Sequence, residues 1–116
     1  QFTVGAKNDF GFFSTANTLL YFNRGSDSFS LKAKANYVKH LDLTITECSR
    51  KSFSWEQVSQ SGTGDIEYTV NSLTPGASYS IYIDNIFLKK GKPNDRGGLT
   101  FAINGGEKKI KILFQP

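Results

Sequence analysis

Apolar and polar residues alternate along most of this chain, in short runs separated by Gly, Asn, Asp and Ser. Successive side chains of a strand point to opposite faces, so each run predicts a strand with one apolar face. The clearest is Ser28 to Ala35, where Phe29, Leu31, Ala33 and Ala35 share one side and Ser28, Ser30, Lys32 and Lys34 the other. His40 to Thr46 repeats the pattern with Leu41, Leu43 and Ile45 inward. Ser52 to Val58 alternates again, with Phe53 and Trp55 on one parity, before a polar loop at Ser59–Gly64. Asp65 to Val70 groups Ile66, Tyr68 and Val70, and Tyr79 to Asp84 groups Tyr79, Ile81 and Ile83.

Phe2–Gly5 predicts a short edge strand, and Phe10–Phe13 and Thr18–Phe22 two further apolar runs. Ile86–Leu88 continues as strand and gives way to a turn-rich loop over Lys89–Gly98. The end of the chain predicts a hairpin, Leu99–Ile103 and Lys109–Phe114 around Asn104-Gly105-Gly106-Glu107, because Asn-Gly is a strong hairpin-turn dipeptide. Leu99, Phe101 and Ile103 then face inward with Ile110, Ile112 and Phe114. No helical period is sustained anywhere. About eight to ten short strands at roughly ten-residue intervals predict an all-β fold, an antiparallel β-sandwich, with a jelly roll as the competing arrangement.

With 116 residues, the chain makes a single domain over 1–116, long enough to bury a two-layer core without metals or disulfides. The single Cys48 excludes an internal disulfide and a multi-cysteine zinc site, and reads as a small, part-buried hydrophobe. No apolar run approaches the roughly 20 residues of a membrane-spanning helix, and the start lacks a signal-peptide pattern. Gln1 opens directly on the apolar-polar pattern, which suggests a mature chain or a domain excised from a larger protein. The absence of Met and the abundance of Ser, Thr, Asn, Gly and aromatic residues point to an extracellular, secreted module.

One stretch carries a resemblance. In Leu73-Thr74-Pro75-Gly76-Ala77-Ser78-Tyr79, Pro75 fixes φ and Gly76 permits positive φ, favouring a tight change of direction between two strands. This L-x-P-G-x-x-Y segment is similar to the tyrosine corner of fibronectin type III and related immunoglobulin-like sandwiches, over residues 65–84. The resemblance implies a Tyr79 ring packed inside, with its hydroxyl bonded to upstream backbone. From that corner through Asp84-Asn85, Asp95, Gly97-Gly98 and Leu99-Thr100-Phe101, the chain also resembles the closing segment of β-sandwich accessory domains at the ends of extracellular polysaccharide-degrading enzymes and adhesins. That implies a non-catalytic appendage of a parent catalytic domain.

Charge and aromatic placement narrow the chemistry. Residues 85–116 hold seven basic residues and two acidic ones, whereas residues 40–84 hold two basic and six acidic. A basic surface formed from Lys89, Lys90, Lys92, Arg96 and the lysines of the last strand would attract anionic partners, acidic glycans among them; alternatively, such lysines guard a sheet edge. A net charge of +4 without an RNA-binding signature argues against nucleic acid. Sugar rings stack on flat aromatic faces, and here the candidates are Tyr82 and Phe87, opposite the inward Ile81 and Ile83, together with Trp55 and Tyr37. Trp55 also reads as a core residue, sharing its parity with Phe53. Asp84, Asn85, Asn94 and Asp95 offer oxygen donors without the spacing of a known calcium loop, so neither metal nor cofactor is expected. No nucleophile motif or His cluster supports an enzyme. The expectation is a non-catalytic carbohydrate-binding module, with Tyr82, Trp55, Phe87, Tyr37, Lys90 and Arg96 as candidate ligand residues. A structural spacer or protein-interaction module is the alternative.

Overall fold

The computed structural model describes residues 2–7, 9–24, 29–35, 40–49, 51–59 and 64–116. They form eleven strands: β1 (Phe2–Ala6), β2 (Phe10–Ser14), β3 (Thr18–Asn23), β4 (Ser30–Lys34), β5 (Leu41–Cys48), β6 (Ser52–Ser59), β7 (Asp65–Asn71), β8 (Ser78–Ile83), β9 (Ile86–Gly91), β10 (Leu99–Asn104) and β11 (Lys108–Gln115). A six-stranded sheet in the order β1-β5-β6-β11-β8-β9 packs against a five-stranded sheet in the order β10-β7-β4-β3-β2. All pairings are antiparallel except β1 with β5. The architecture is the expected all-β sandwich.

Each sheet turns one apolar face inward. Phe29, Leu31, Ala33 and Ala35 are buried as their alternation requires, and so are Leu41, Leu43 and Ile45 from the other sheet. Aromatic rings knit the middle of the core. Trp55 lies 5.0 Å from Tyr68 and 5.5 Å from Phe53 between centroids, in edge-to-face geometry that suits the ring quadrupoles. Tyr68 comes from the five-stranded sheet and Trp55 from the six-stranded one, so this contact spans the sandwich.

The passage from β7 to β8 changes sheets through the Leu73–Tyr79 segment. The Tyr79 ring is buried, and its hydroxyl accepts the Thr74 N–H at 3.0 Å. Gly76 has φ +76°, and its N–H donates to the Pro93 carbonyl. Gly97, at φ +81°, lies so close to this corner that a Cβ would stand 2.4 Å from the Leu73 carbonyl oxygen. The corner and the 92–98 connection therefore pack backbone to backbone.

Two expectations are corrected. The Asn104–Glu107 turn does not close a hairpin: β10 pairs with β7 in one sheet, while β11 inserts between β6 and β8 in the other. A hairpin would put both apolar sets on one face of one sheet. The crossover instead lets Leu99, Phe101 and Ile103 face Ile110 and Ile112 across the core. In addition, Ile86–Leu88 does not prolong the preceding strand. Asp84 and Asn85, both at positive φ (51° and 67°), reverse the chain, and Ile86–Gly91 returns as the edge strand β9, taking Lys89 and Lys90 out of the expected loop. Asp and Asn tolerate this left-handed backbone better than most residues do.

The β10–β11 crossover is held by a buried amide. Gln57, fully buried on β6, donates through Nε2 to the carbonyls of Asn104 (3.0 Å) and Gly106 (3.1 Å). Its Oε1 accepts the Tyr68 hydroxyl at 2.7 Å. Burial raises the pKa of that phenol well above its ordinary value, so it remains a donor. Replacing Gln57 by Leu strands the Tyr68 hydroxyl and takes a donor from the Asn104 and Gly106 carbonyls, of which Gly106 keeps the Ser59 N–H, and we expect a loss of about 2 kcal/mol. Tyr68→Phe strands only Oε1 and should cost about 1 kcal/mol. Urea unfolding of both variants checks the order; equal losses would disprove the shared network.

At the far edge, the Thr3 hydroxyl donates to Asp42 and ties β1 to β5. This bond is the main reason that the Asp42 carboxyl sits below its ordinary pKa of 3.8; partial burial works against it, and His40, 2.9 Å away, adds to it. A depressed folded-state pKa stabilises at pH values above the unfolded one, and the benefit disappears as pH falls through the folded value. Thr3→Val should therefore raise the Asp42 pKa toward 3.8 and flatten the acid limb of stability. An NMR titration of the Asp42 carboxyl reads this directly.

Candidate functional site

The outward face of the six-stranded sheet gathers the side chains that could meet a ligand. Strand register aligns them in rows perpendicular to the strands. One row runs Phe87, Tyr82, Lys111, Ser54, because Tyr82 pairs with Phe87 on one side and Lys111 on the other, and Lys111 pairs in turn with Ser54. The Ser54 hydroxyl meets the Thr46 hydroxyl on β5 at 2.6 Å, extending the row to a fifth strand. At about 4.8 Å between strands, it is roughly 19 Å long. A second row carries Lys109, Glu56 and Thr44.

The aromatic end of the row is well defined. The Tyr82 and Phe87 rings stand 5.9 Å apart at 71°, an edge-to-face pair. Phe87 is 51% exposed and Tyr82 is half-buried, so both present ring surface to solvent while each fixes the other. Shallow open depressions continue from them. One of about 180 Å³ is lined by Tyr82, Asn85, Lys111 and Leu113, and one of about 150 Å³ lies between Lys111, Lys109, Glu56, Ser54 and Thr46. Lys111 borders both.

The sequence-derived candidates fare differently. Tyr82 and Phe87 come together as described, and Lys90 joins their face, paired with Ser80. Arg96 does not: it lies on the connection from β9 to β10, which crosses between sheets, and its N–H donates to Asn94 Oδ1 in a local turn. The expected single basic surface is therefore divided between a sheet face and an end loop. Trp55 is corrected as a binding platform. It is 0% exposed, because its strand parity with Phe53 turns it into the core. Among the described residues its indole N–H has no partner in good hydrogen-bond geometry, although its interaction with the Tyr68 hydroxyl works against the upward push of burial on that phenol's pKa. Tyr37 lies outside the described residues.

Two of the oxygen donors weighed for calcium accept backbone N–H groups. Asp84 Oδ1 accepts the Lys109 N–H at 2.9 Å, and Asn94 Oδ1 accepts the N–H groups of Arg96 and Gly98. Among the described residues, no cluster of His, Cys, Asp and Glu is arranged to hold a metal ion. Cys48 is half-buried against the core, with Asn23 Nδ2 at 3.6 Å from its sulfur. Nor do the described residues include a helix long and apolar enough to cross a membrane.

Sequence reasoning missed Lys111, Ser54 and Thr46 as members of one site. Their outward parity was legible, since Lys109 and Lys111 alternate with Ile110 and Ile112. What the sequence lacks is the strand order that sets Lys111 beside Tyr82. No family model, curated protein or solved structure matches this chain.

Burial of the only tryptophan has a spectroscopic consequence. Emission from Trp55 should be blue-shifted relative to free indole and little quenched by iodide, and ligands on the sheet face should leave it unchanged. A red-shifted, readily quenched emission would contradict the core placement.

Proposed function

We propose that this chain is a non-catalytic carbohydrate-binding module, an extracellular appendage of a secreted glycan-active protein. The observation that supports this reading best is the Tyr82–Phe87 pair at one end of a polar, shallowly pitted sheet face. Sugars offer C–H faces for stacking and hydroxyls for hydrogen bonding. The face supplies ring surface from Tyr82 and Phe87, hydroxyls from Ser54 and Thr46, and a cation from Lys111. Its open shape suits a polymer lying across the strands better than a small molecule enclosed in a pocket. The resemblance of the corner and closing segment to accessory domains of polysaccharide-degrading enzymes agrees with it. In this reading the chain does no chemistry, and the catalytic work belongs to a parent domain.

A second reading has its own support. Ile86, Phe87 and Leu88 are consecutive, exposed and on an edge strand, at 72%, 51% and 48%. Such an apolar edge suits a structural or protein-interaction module that docks a partner through exposed side chains.

A glycan array with purified variants separates the two. Tyr82→Ala and Phe87→Ala should each weaken binding to the best polysaccharide about tenfold, the equivalent of ~1.4 kcal/mol, with the thermal midpoint nearly unchanged. Ile86→Ser should not. Wild-type silence across neutral and acidic polysaccharides would leave the interaction module as the stronger reading.

A further inference from the structure

Lys111 occupies an unusual position on the candidate face. It is exposed in the middle of the sheet, on β11, rather than at an edge where lysines guard against strand addition. Its two cross-strand neighbours are Tyr82 and Ser54, both uncharged. Two carboxylates of this face have other partners: Glu47 Oε1 accepts the Ser52 hydroxyl, and Glu56, which lines one depression together with Lys111, lies directly opposite Lys109 in the next outward row. Lys111 forms no ion pair among the described residues. It also borders both depressions, one reaching back to Tyr82 and the other on to Ser54 and Thr46.

We propose that Lys111 is an anion-reading subsite, and that the ligand of this face is a polysaccharide carrying a carboxylate or sulfate on its sugars. This inference rests on the carbohydrate reading and specifies its ligand class. A sugar stacked on Tyr82 places its neighbour along the row above Lys111, one strand spacing away, about 4.8 Å. An acidic group on that neighbour meets an ammonium that forms no ion pair among the described residues. A neutral sugar there leaves the cation to water and gains only the stacking and hydroxyl contacts. The Ser54 and Thr46 hydroxyls beyond then bond to ring or exocyclic oxygens of the next unit. Lys90, on the same face two strands away, adds long-range attraction without bordering either depression. The discrimination is electrostatic and solvent-exposed, so it must weaken with salt, whereas aromatic stacking persists.

The test uses matched polymers: polygalacturonate against its methyl-esterified form, and dextran sulfate against dextran, each titrated at low and high salt. The first pair reports on carboxylates and the second on sulfates. Variants are Lys111→Gln, Lys111→Arg, Tyr82→Ala and, as a charge-matched control on the outer face of the opposite sheet, Lys32→Gln. Expected is a preference of about two- to fivefold for at least one acidic polymer over its neutral partner, as one exposed charge pair can supply. Lys111→Gln should remove most of that preference with no change in thermal midpoint, and Lys111→Arg should retain most of it. Lys32→Gln should leave it intact, and Tyr82→Ala should weaken acidic and neutral binding alike. The proposal is overturned if acidic and neutral polymers bind equally, if Lys111→Gln keeps the preference, or if Lys32→Gln erases it as fully. Neutral binding that depends on Tyr82 but shows no acidic preference would sink the anionic subsite and spare the carbohydrate reading. No binding to any of the polymers by wild type would sink both.

Discussion

A buried amide sets the geometry on which the rest of this sandwich depends. Gln57 projects into the core from β6, where an apolar residue would satisfy the alternation equally well. It receives the hydroxyl of Tyr68 from the opposite sheet and donates to two carbonyls of the β10–β11 crossover. A polar group in that place is stabilising only if its partners stay fixed, because each unmade bond there carries the full desolvation cost. The amide thus sets the distance between sheets at one end and the path of the chain into β11. The second consequence bears on function. β11 is the strand that carries Lys109 and Lys111 into the middle of the six-stranded sheet, beside Tyr82. Without the crossover, those lysines would sit in a hairpin of the other sheet.

The same residue shows where sequence reading stops. Along Ser52–Ser59, the inward parity is Phe53, Trp55, Gln57, and the outward parity contains Val58, so the pattern inverts at its end. Period alone places Phe53 and Trp55 on one face. It does not say whether that face is core or platform, since a lone tryptophan with aromatic company suits either. Burial is decided by what the opposite sheet brings, here Tyr68 and Phe101. The strands themselves were legible nearly throughout, because a half-buried sheet imposes period 2 on every segment it contains. The tight turn at Pro75-Gly76 was legible too, since its chemistry is local, and the bond of the Tyr79 hydroxyl to upstream backbone, implied by the resemblance to a tyrosine corner, is present five residues from its donor.

Turns proved misleading in both directions, for one physical reason. Asn104-Gly105 is a strong hairpin signal, yet the strands it joins belong to different sheets; Asp84-Asn85 is a weaker one, yet it closes a tight hairpin. Turn propensity specifies that the backbone can reverse, not which neighbours the emerging strand will find. Sheet membership is a non-local outcome, settled by which arrangement buries the most apolar surface and leaves the fewest polar groups unpaired. The candidate site inherits that limit. Tyr82 and Phe87 were readable as outward residues, but their pairing follows from the unrecognised Asp84-Asn85 turn, and Lys111 joined them only through strand order.

The position of the aromatic pair also reconciles two features of β9 that pull against each other. Exposed Ile86, Phe87 and Leu88 make this edge adhesive, while Lys89, Lys90 and the irregular register opposite Ile81 and Tyr82 make it a poor template for strand addition. An edge built only for solubility would not need a phenylalanine there, and one built only for strand addition would not be bulged and doubly charged. Phe87 has a reason to be exposed if it holds Tyr82. The edge-to-face contact restricts the tyrosine ring before any ligand arrives, so less rotamer freedom is lost when a sugar stacks on it. A ring fixed in advance beside an ammonium with no ion pair among the described residues is a preorganised arrangement, and preorganisation is what would let an open, shallow face hold a polymer with few contacts per unit.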